Sequence, residues 1–382
     1  MSHTRPPRVV HLTSVHAADD TRILHKECRS LADAGYDVTL IAQAPLVTAE
    51  GAGVRVVVLR RPASRWRRVT ETTWAVLRAA WREDAALYHL HDPELLPVGL
   101  ILKLRGARVV YDVHEDWPAA VDARDWIPVP ARAVARPGVA ALELCAARLL
   151  DAVVAVTPEI AARFPPDKVA LVQNFPLGDE RTIERAPADH QPIVAYIGDL
   201  TEIRGARTMV EAMGRLPIGV AARLVIAGTF SPPELEEELH RLPGGERLET
   251  RAWLSREGVA ELLADASIGL VLFHPSPNHL ASQPNKLFEY MAAGLPVIAS
   301  DFPRWREIVG RNGAGLLVDP RDPTAISEAI AALLADPDGA AEMGRHGQAA
   351  VGDRFRWASQ AEVLLGVYRR LGVEPAKGTS AR

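Results

Sequence analysis

The stretch IGLVLFHPSPNHLASQPNKLFEYMAAGLPVIAS (268–300) reads as a complete strand, helix and strand. IGLVLFHP (268–275) is an apolar run too short for a helix. A polar loop follows, Pro284 marks a helix start, and the helix stops at Gly294 before the apolar run LPVIAS (295–300). Such a unit belongs to a parallel sheet covered by helices. At about 100° per residue Asn285 and Glu289 fall about 40° apart on one side, while Leu287 and Met291 point roughly the other way. Glu289 therefore stands off the core stripe. The unpaired first-turn amides together with Lys286 suit a phosphate or diphosphate, and Glu289, one turn further in, can accept hydrogen bonds from ribose hydroxyls. Spacing alone equally permits a solvated i,i+3 pair of Lys286 and Glu289.

The same alternation extends outward in both directions. Before the midpoint lie the apolar runs RVVHLTS (8–14), DVTLIAQ (37–43), VRVVVL (54–59), LYHLHD (87–92), ARVVYDVHE (107–115), AVVAVT (152–157) and VALVQNF (169–175), with helical stretches such as 20–34, 94–104 and 138–150 between them. After it come IVAYIGDL (193–200), ARLVIAG (222–228), RLETRAWL (247–254), the run from 268, LPVIAS and GAGLLVD (313–319). Two doubly wound α/β domains are the economical arrangement, one over 1–180 and one over 190–355. The charged, proline-bearing stretch 176–192 is the expected linker. A last helix over about 356–371 is expected to pack back on the first domain, and 372–382 to be a disordered tail. Ligands of open α/β sheets bind beyond the carboxyl ends of the strands, so two such domains are expected to face each other across a binding crevice.

Composition narrows the function classes. The 382 residues correspond to roughly two and a half domains of ordinary size. A hydrophobic share of 48% against 24% charged describes a globular chain. Forty-four Lys and Arg against 48 Asp and Glu argue against a protein built to grip nucleic acid. With no apolar run of membrane-spanning length and no leader-like start, a cytoplasmic protein is expected. Cys28 and Cys145 read as two buried thiols, and no ligand spacing supports zinc or another metal.

Further polar groups stand at predicted strand ends. Gly198, Arg204 and Gly205 in IGDLTEIRG (197–205) form a strand, turn and helix through which backbone can approach a phosphate, with Arg204 as a fork of donors or simply an exposed arginine. VVYDVHEDW (109–117) offers His114 as an acid, base or sugar ligand, or as a structural histidine. LYHLHDPELLP supplies His89, His91, Asp92 and Glu94, and TSVHAADDTR supplies His16, Asp19, Asp20 and Arg22; for Asp92 and Asp20 a helix cap competes with ligand contact. Asp336-Pro337-Asp338 resembles a metal-binding Asp-x-Asp but reads as a helix stop. Residues 55–82 carry eight arginines against Glu71, with Trp66, Trp74 and Trp81 interleaved, a pattern that suits either an anionic membrane surface or a solvated helix face.

Together, HLTSVHAADDTRILHKECRSLADAGYDVTLIA, HLHDPELLPVGL, YDVHED, IGDLTEIRG and PNKLFEYMAAGLPVIASDFPRWREIV resemble the retaining glycosyltransferases of family four, with the GT-B fold. The resemblance covers almost the whole chain and implies transfer of a sugar from a nucleotide donor, most often a UDP-sugar, with no metal and no other cofactor. It makes Glu289 the ribose-binding carboxylate of a Glu-x7-Glu element and makes Arg204 and Lys286 the diphosphate cations. It sets His114 against the donor sugar, and Trp253 and Leu254 where the base lies. Asn285, Leu287, Gly198 and Gly205 complete the implied donor site, and Asp20, Arg22, His91, Asp92 and Glu94 the acceptor side. The first Glu of the element is Ala281 here, and Asp199 stands where an arginine is usual. The acceptor would be a glycan, a lipid-linked saccharide or a small natural product. A nucleotide-sugar epimerase or hydrolase of the same fold, or a silent nucleotide-binding scaffold, are the alternatives.

Overall fold

The computed structural model describes residues 5–44, 53–60, 68–122, 127–177 and 191–375. Thirteen strands form two sheets, each wholly parallel. The first contains β1 (Arg8–Ala17), β2 (Asp37–Gln43), β3 (Val54–Leu59), β4 (Leu87–Leu90), β5 (Arg108–Val113), β6 (Ala152–Ala155) and β7 (Val169–Leu171), in the order β3-β2-β1-β4-β5-β6-β7. The second contains β8 (Ile193–Ile197), β9 (Arg223–Ala227), β10 (Leu248–Arg251), β11 (Ala266–Val271), β12 (Val297–Ser300) and β13 (Gly315–Val318), in the order β10-β9-β8-β11-β12-β13. In both sheets the strand order reverses beside the first strand of the half, the doubly wound pattern expected from the alternating runs.

The chain divides into two compact units, one of residues 1–174 with 357–382 and one of 175–356. In the first, Val10, Leu12, Tyr88, Leu90, Val109 and Tyr111 pack on one face of the sheet beneath the helices Thr73–Glu83 and Leu96–Leu104. In the second, Leu224, Ile226, Leu270, Ile298 and the helix Asn285–Ala292 belong to one continuous core. Gly269 in β11 has a positional role there, because a Cβ would come within 2.3 Å of the Tyr290 ring. The expected linker falls mostly on residues outside those described, as does the end of the expected tail, 376–382.

Several local expectations are corrected. The helix expected over 138–150 runs over Val129–Leu149, straight through Pro137. Pro137 and Ala133, whose carbonyl loses its helical partner, are both exposed there. Cys145 is exposed, not buried, because the covered stripe of that helix is Glu143, Ala146 and Ala147. Asp336 does more than stop a helix: it ends Pro323–Ala335 and its carboxylate then accepts the Gly339 amide at 3.0 Å, capping Pro337–Arg354.

Candidate functional site

In the second unit the polypeptide leaves β8 at Gly198, whose φ of 110° suits only glycine. The Lys286 ammonium lies directly over this residue, 2.8 Å from where a Cβ would stand, and 5.2 Å from the Tyr196 ring centre. Among the described residues no ion pair holds it. Burial, then the neighbouring Arg204, pull its pKa down to about 8 against the pull of Glu289 and Asp199. Arg204 donates from Nη1 to the Asp199 carbonyl at 2.8 Å and lies over the Phe273 ring. Gly205 starts the next helix with φ 84°, and a Cβ there would run into the Leu272 carbonyl at 2.2 Å. The Asp199 carboxylate is exposed and accepts the Thr229 hydroxyl.

The helix Asn285–Ala292 begins at this cluster. Its cap residue Pro284 supplies no side-chain acceptor to the first turn, while Leu287, Phe288, Tyr290 and Met291 are buried. The Tyr290 hydroxyl accepts the Ile197 amide at 2.9 Å, which pins this helix to the end of β8. Asn285 and Glu289 are half-buried on the side away from the core. The structure thus brings Gly198, Arg204, Gly205 and Lys286 together on two adjacent strand-to-helix turns. Trp253 and Leu254 follow β10; Trp253 is 67% exposed and Leu254 half-buried. Ala281 closes the short helix Pro277–Leu280.

The first unit gathers its polar residues at the carboxyl ends of β1, β4 and β5. Asp20 caps the helical segment Thr21–Cys28 by accepting the Arg22 and Ile23 amides, both at 2.9 Å, and its other oxygen takes His16 Nδ1 at 3.2 Å. His16 Nε2 is 2.9 Å from His114 Nε2. Against the cost of burial, the Asp20 bond and the charges of Asp92 and Asp20 lift His16 to about 9, whereas burial drives His114 down to about 4. At neutral pH His16 is therefore the cation and donates to a neutral His114, whose proton sits on Nδ1. Asp92 is fully buried and makes no cap bond; it accepts instead from Thr13 Oγ1 and the Ser14 amide, both at 2.7 Å. That corrects the cap reading of Asp92. Arg22 is held by Asp112 through two bonds of 3.0 Å, and His91 Nδ1 lies 3.2 Å from the same carboxylate. Arg22, His91 and Asp92 are thus inside the unit, while Asp20 and Glu94 are half-buried.

His11, Glu27, Asp112 and Tyr368 escaped the sequence reading. The signal for His11 was present: it stands inside the apolar run RVVHLTS, as His89 does in LYHLHD, and so on a strand face that is itself covered. Glu27 and Tyr368 meet these residues only through packing. Among the arginines and tryptophans of 55–82, Arg61, Arg65, Trp66 and Arg67 lie outside the described residues. Trp74 and Trp81 stand exposed on Thr73–Glu83, and the Arg105 guanidinium lies over the Trp81 ring at 3.7 Å.

Two family models match, a glycosyl transferase 4-like domain over residues 21–174 and glycosyl transferases group 1 over 191–336. The lipopolysaccharide core biosynthesis glycosyltransferase LpsE of Rhizobium meliloti is 30% identical over 74% of this chain and 81% of its own length. The chain belongs to the family-four glycosyltransferases. The alpha-maltose-1-phosphate synthase of Mycolicibacterium smegmatis is 29% identical over 60% of this chain and 66% of that protein. The chain spans less than two thirds of the length of several of the curated relatives it matches. In fold, the Anabaena protein HepE, solved in complex with UDP and glucose, superposes with a TM-score of 0.72 at 15% identity, over 96% of this chain and 99% of that one. Both sheets of this family member are accordingly those of the GT-B class of two Rossmann-like domains.

Proposed function

We propose that the chain transfers a sugar from a nucleoside diphosphate, most simply a UDP-sugar, to a hydroxyl of a glycan, a lipid-linked saccharide or a small natural product, with retention at the anomeric carbon. The observation that carries this reading is the Lys286 ammonium poised over Gly198 beside Arg204, at the first turn of Asn285–Ala292. A diphosphate laid on that glycine meets two cations and the first-turn amides. As the glycosidic bond breaks, negative charge grows on the leaving diphosphate, so donors already in place bind the transition state more strongly than the substrate. Charge-assisted bonds of about 1.5–3 kcal/mol each make this a substantial share of the barrier.

Asn285 and Glu289 receive the ribose, Trp253 and Leu254 flank the base, and the neutral His114 serves the transferred sugar through its ring. On the acceptor side, Asp20 and Glu94 are the residues with access, whereas Arg22, His91 and Asp92 act by holding β1, β4 and β5 in place. The names of the relatives, a maltose-1-phosphate synthase and a lipopolysaccharide core transferase, and the UDP and glucose bound to HepE support a nucleotide-sugar donor. Contact with an anionic membrane through Trp74, Trp81 and the neighbouring arginines fits a lipid-linked acceptor, and no described helix is long and apolar enough to cross a bilayer.

Calorimetric titration with UDP, GDP and ADP in the presence of EDTA tests the donor site. One diphosphate is expected to bind selectively, with at least tenfold loss in Lys286→Ala and in Glu289→Ala. Binding of none, or equal binding in both variants, would remove the donor site from this end of the sheet.

A further inference from the structure

Three histidines and a glutamate that touch neither donor nor acceptor in the proposed chemistry meet inside the first unit. Side chains two apart on a strand share a face, so His89 and His91 at the end of β4 point together, and the parallel register sets His11 of β1 opposite His89. Val10, Leu12, Tyr88 and Leu90 fill the other face. Glu27, on Thr21–Cys28, covers the three rings, and all four side chains are fully buried. Glu27 Oε2 lies 3.9 Å from His11 Nδ1 and 4.0 Å from both His89 Nδ1 and His91 Nε2, while His11 Nδ1 and His91 Nε2 are 2.9 Å apart. This oxygen has no hydrogen-bond partner, and neither has His89 Nε2.

We propose that His11, His89, His91 and Glu27 bind one divalent transition-metal ion of the zinc class as a structural centre of the first unit. Three imidazole nitrogens and one carboxylate oxygen are a zinc donor set. Tetrahedral ligands about 2.0–2.1 Å from zinc stand about 3.3 Å from one another; the four separations given above, 2.9 to 4.0 Å, bracket that value, and all four ligand atoms lie within 4.8 Å of one another.

An outer shell is also in place. The second nitrogen of His91 is 3.2 Å from Asp112 Oδ2, and the second nitrogen of His11 is 3.1 Å from the Tyr368 hydroxyl, the orienting bonds that metal-bound imidazoles make. His89 Nδ1, 3.0 Å from the same hydroxyl, exchanges that bond for the ion. The ion replaces the proton shared between His11 and His91 and gives the buried Glu27 oxygen its missing partner.

Two neighbouring groups, His16 with Asp92 and His114, and His91 with Asp112 and His114, also have ligand atoms close together. Each of these offers two imidazoles and one carboxylate, one donor fewer than the His11 group, and both oxygens of Asp112 are held by Arg22, which also pairs with Glu27 Oε1 at 3.0 Å but leaves Glu27 Oε2 without a hydrogen-bond partner.

The test is metal analysis of the full chain, stripped with a strong chelator and then reloaded with Zn²⁺ or Co²⁺. One tightly held zinc per chain, the intense visible bands of tetrahedral cobalt, and a higher melting temperature with zinc than without are expected. Glu27→Gln and His89→Gln should each weaken zinc binding at least tenfold, and His16→Asn should leave it unchanged. Should the first two variants fail to fold, the cobalt spectrum of the unaltered chain decides. Less than one ion per chain at saturation, the weak spectrum of octahedral cobalt, or loss of the ion in His16→Asn would overturn the proposal.

Discussion

Lys286 is an ammonium that burial has already made easy to discharge. With its pKa near 8, the charge proposed to meet the diphosphate is present at neutral pH and fades as the pH rises. Binding of UDP is expected to hold steady below pH 8 and then to weaken by up to about tenfold per pH unit. Calorimetry across that range checks it, and Lys286→Ala should flatten the profile. Gly198 is the floor of the same site: an alanine there is strained at φ 110° and its methyl meets the ammonium. Gly198→Ala should cost about 1–2 kcal/mol of stability by denaturant unfolding and should weaken UDP binding as well. Both residues were legible in the sequence, because a glycine after a strand and a lysine in a first helical turn are local signals. The charge states of His16 and His114 were not legible, since they depend on ends of β1 and β5 nearly a hundred residues apart in the chain. Their shifts run oppositely. His16, raised from 6.5 to about 9, adds stability that is full below pH 6.5 and is lost as the pH climbs through 9. His114, lowered from 6.5 to about 4, adds stability that is full above pH 6.5 and is lost as the pH falls through 4. Urea unfolding should therefore show greatest stability near pH 6.5, and His16→Asn should remove the alkaline decline and, by taking away a charge that holds His114 down, also shrink the acid one.

Elements read well wherever one run of sequence settles them. Each of the thirteen apolar runs corresponds to a strand, because a strand covered by helices on both faces must be apolar nearly throughout. The helix Asn285–Ala292 has its buried stripe on the side that periodicity assigns. Helix limits were less legible. Pro137 lies inside the helix Val129–Leu149, tolerated where it and Ala133 are exposed, and exposure is a property of the fold. On Thr73–Glu83, Trp74 and Trp81 are seven residues apart and so lie about 20° from each other around the axis, a single exposed aromatic edge. Trp74→Ala with Trp81→Ala should reduce sedimentation with anionic vesicles at least tenfold while leaving UDP binding intact; equal sedimentation would detach this helix from any membrane role.

The chain as a whole passes through the second unit and then returns to the first with the helix Trp357–Arg370. That return inserts Tyr368, fully buried, whose hydroxyl meets both His11 and His89, and Trp357, whose indole donates to Ser30 Oγ at 2.8 Å. In the metal-free chain Tyr368→Phe leaves two buried ring nitrogens without that partner and should cost about 1–3 kcal/mol, read as a lower denaturant midpoint at unchanged slope. By itself the sequence determined the α/β class, the thirteen strands and the Gly198–Gly205 turn with its Arg204, because each rests on near neighbours in the chain, whereas the arrival of Lys286 over Gly198 is a tertiary contact. Only the tertiary structure decided that Arg22, His91 and Asp92 are internal, that His114 is neutral, and that His11, Glu27, His89 and His91 converge. Those outcomes depend on strand register and on a helix arriving from the far end of the chain, and no local periodicity encodes which buried groups such a fold will bring face to face.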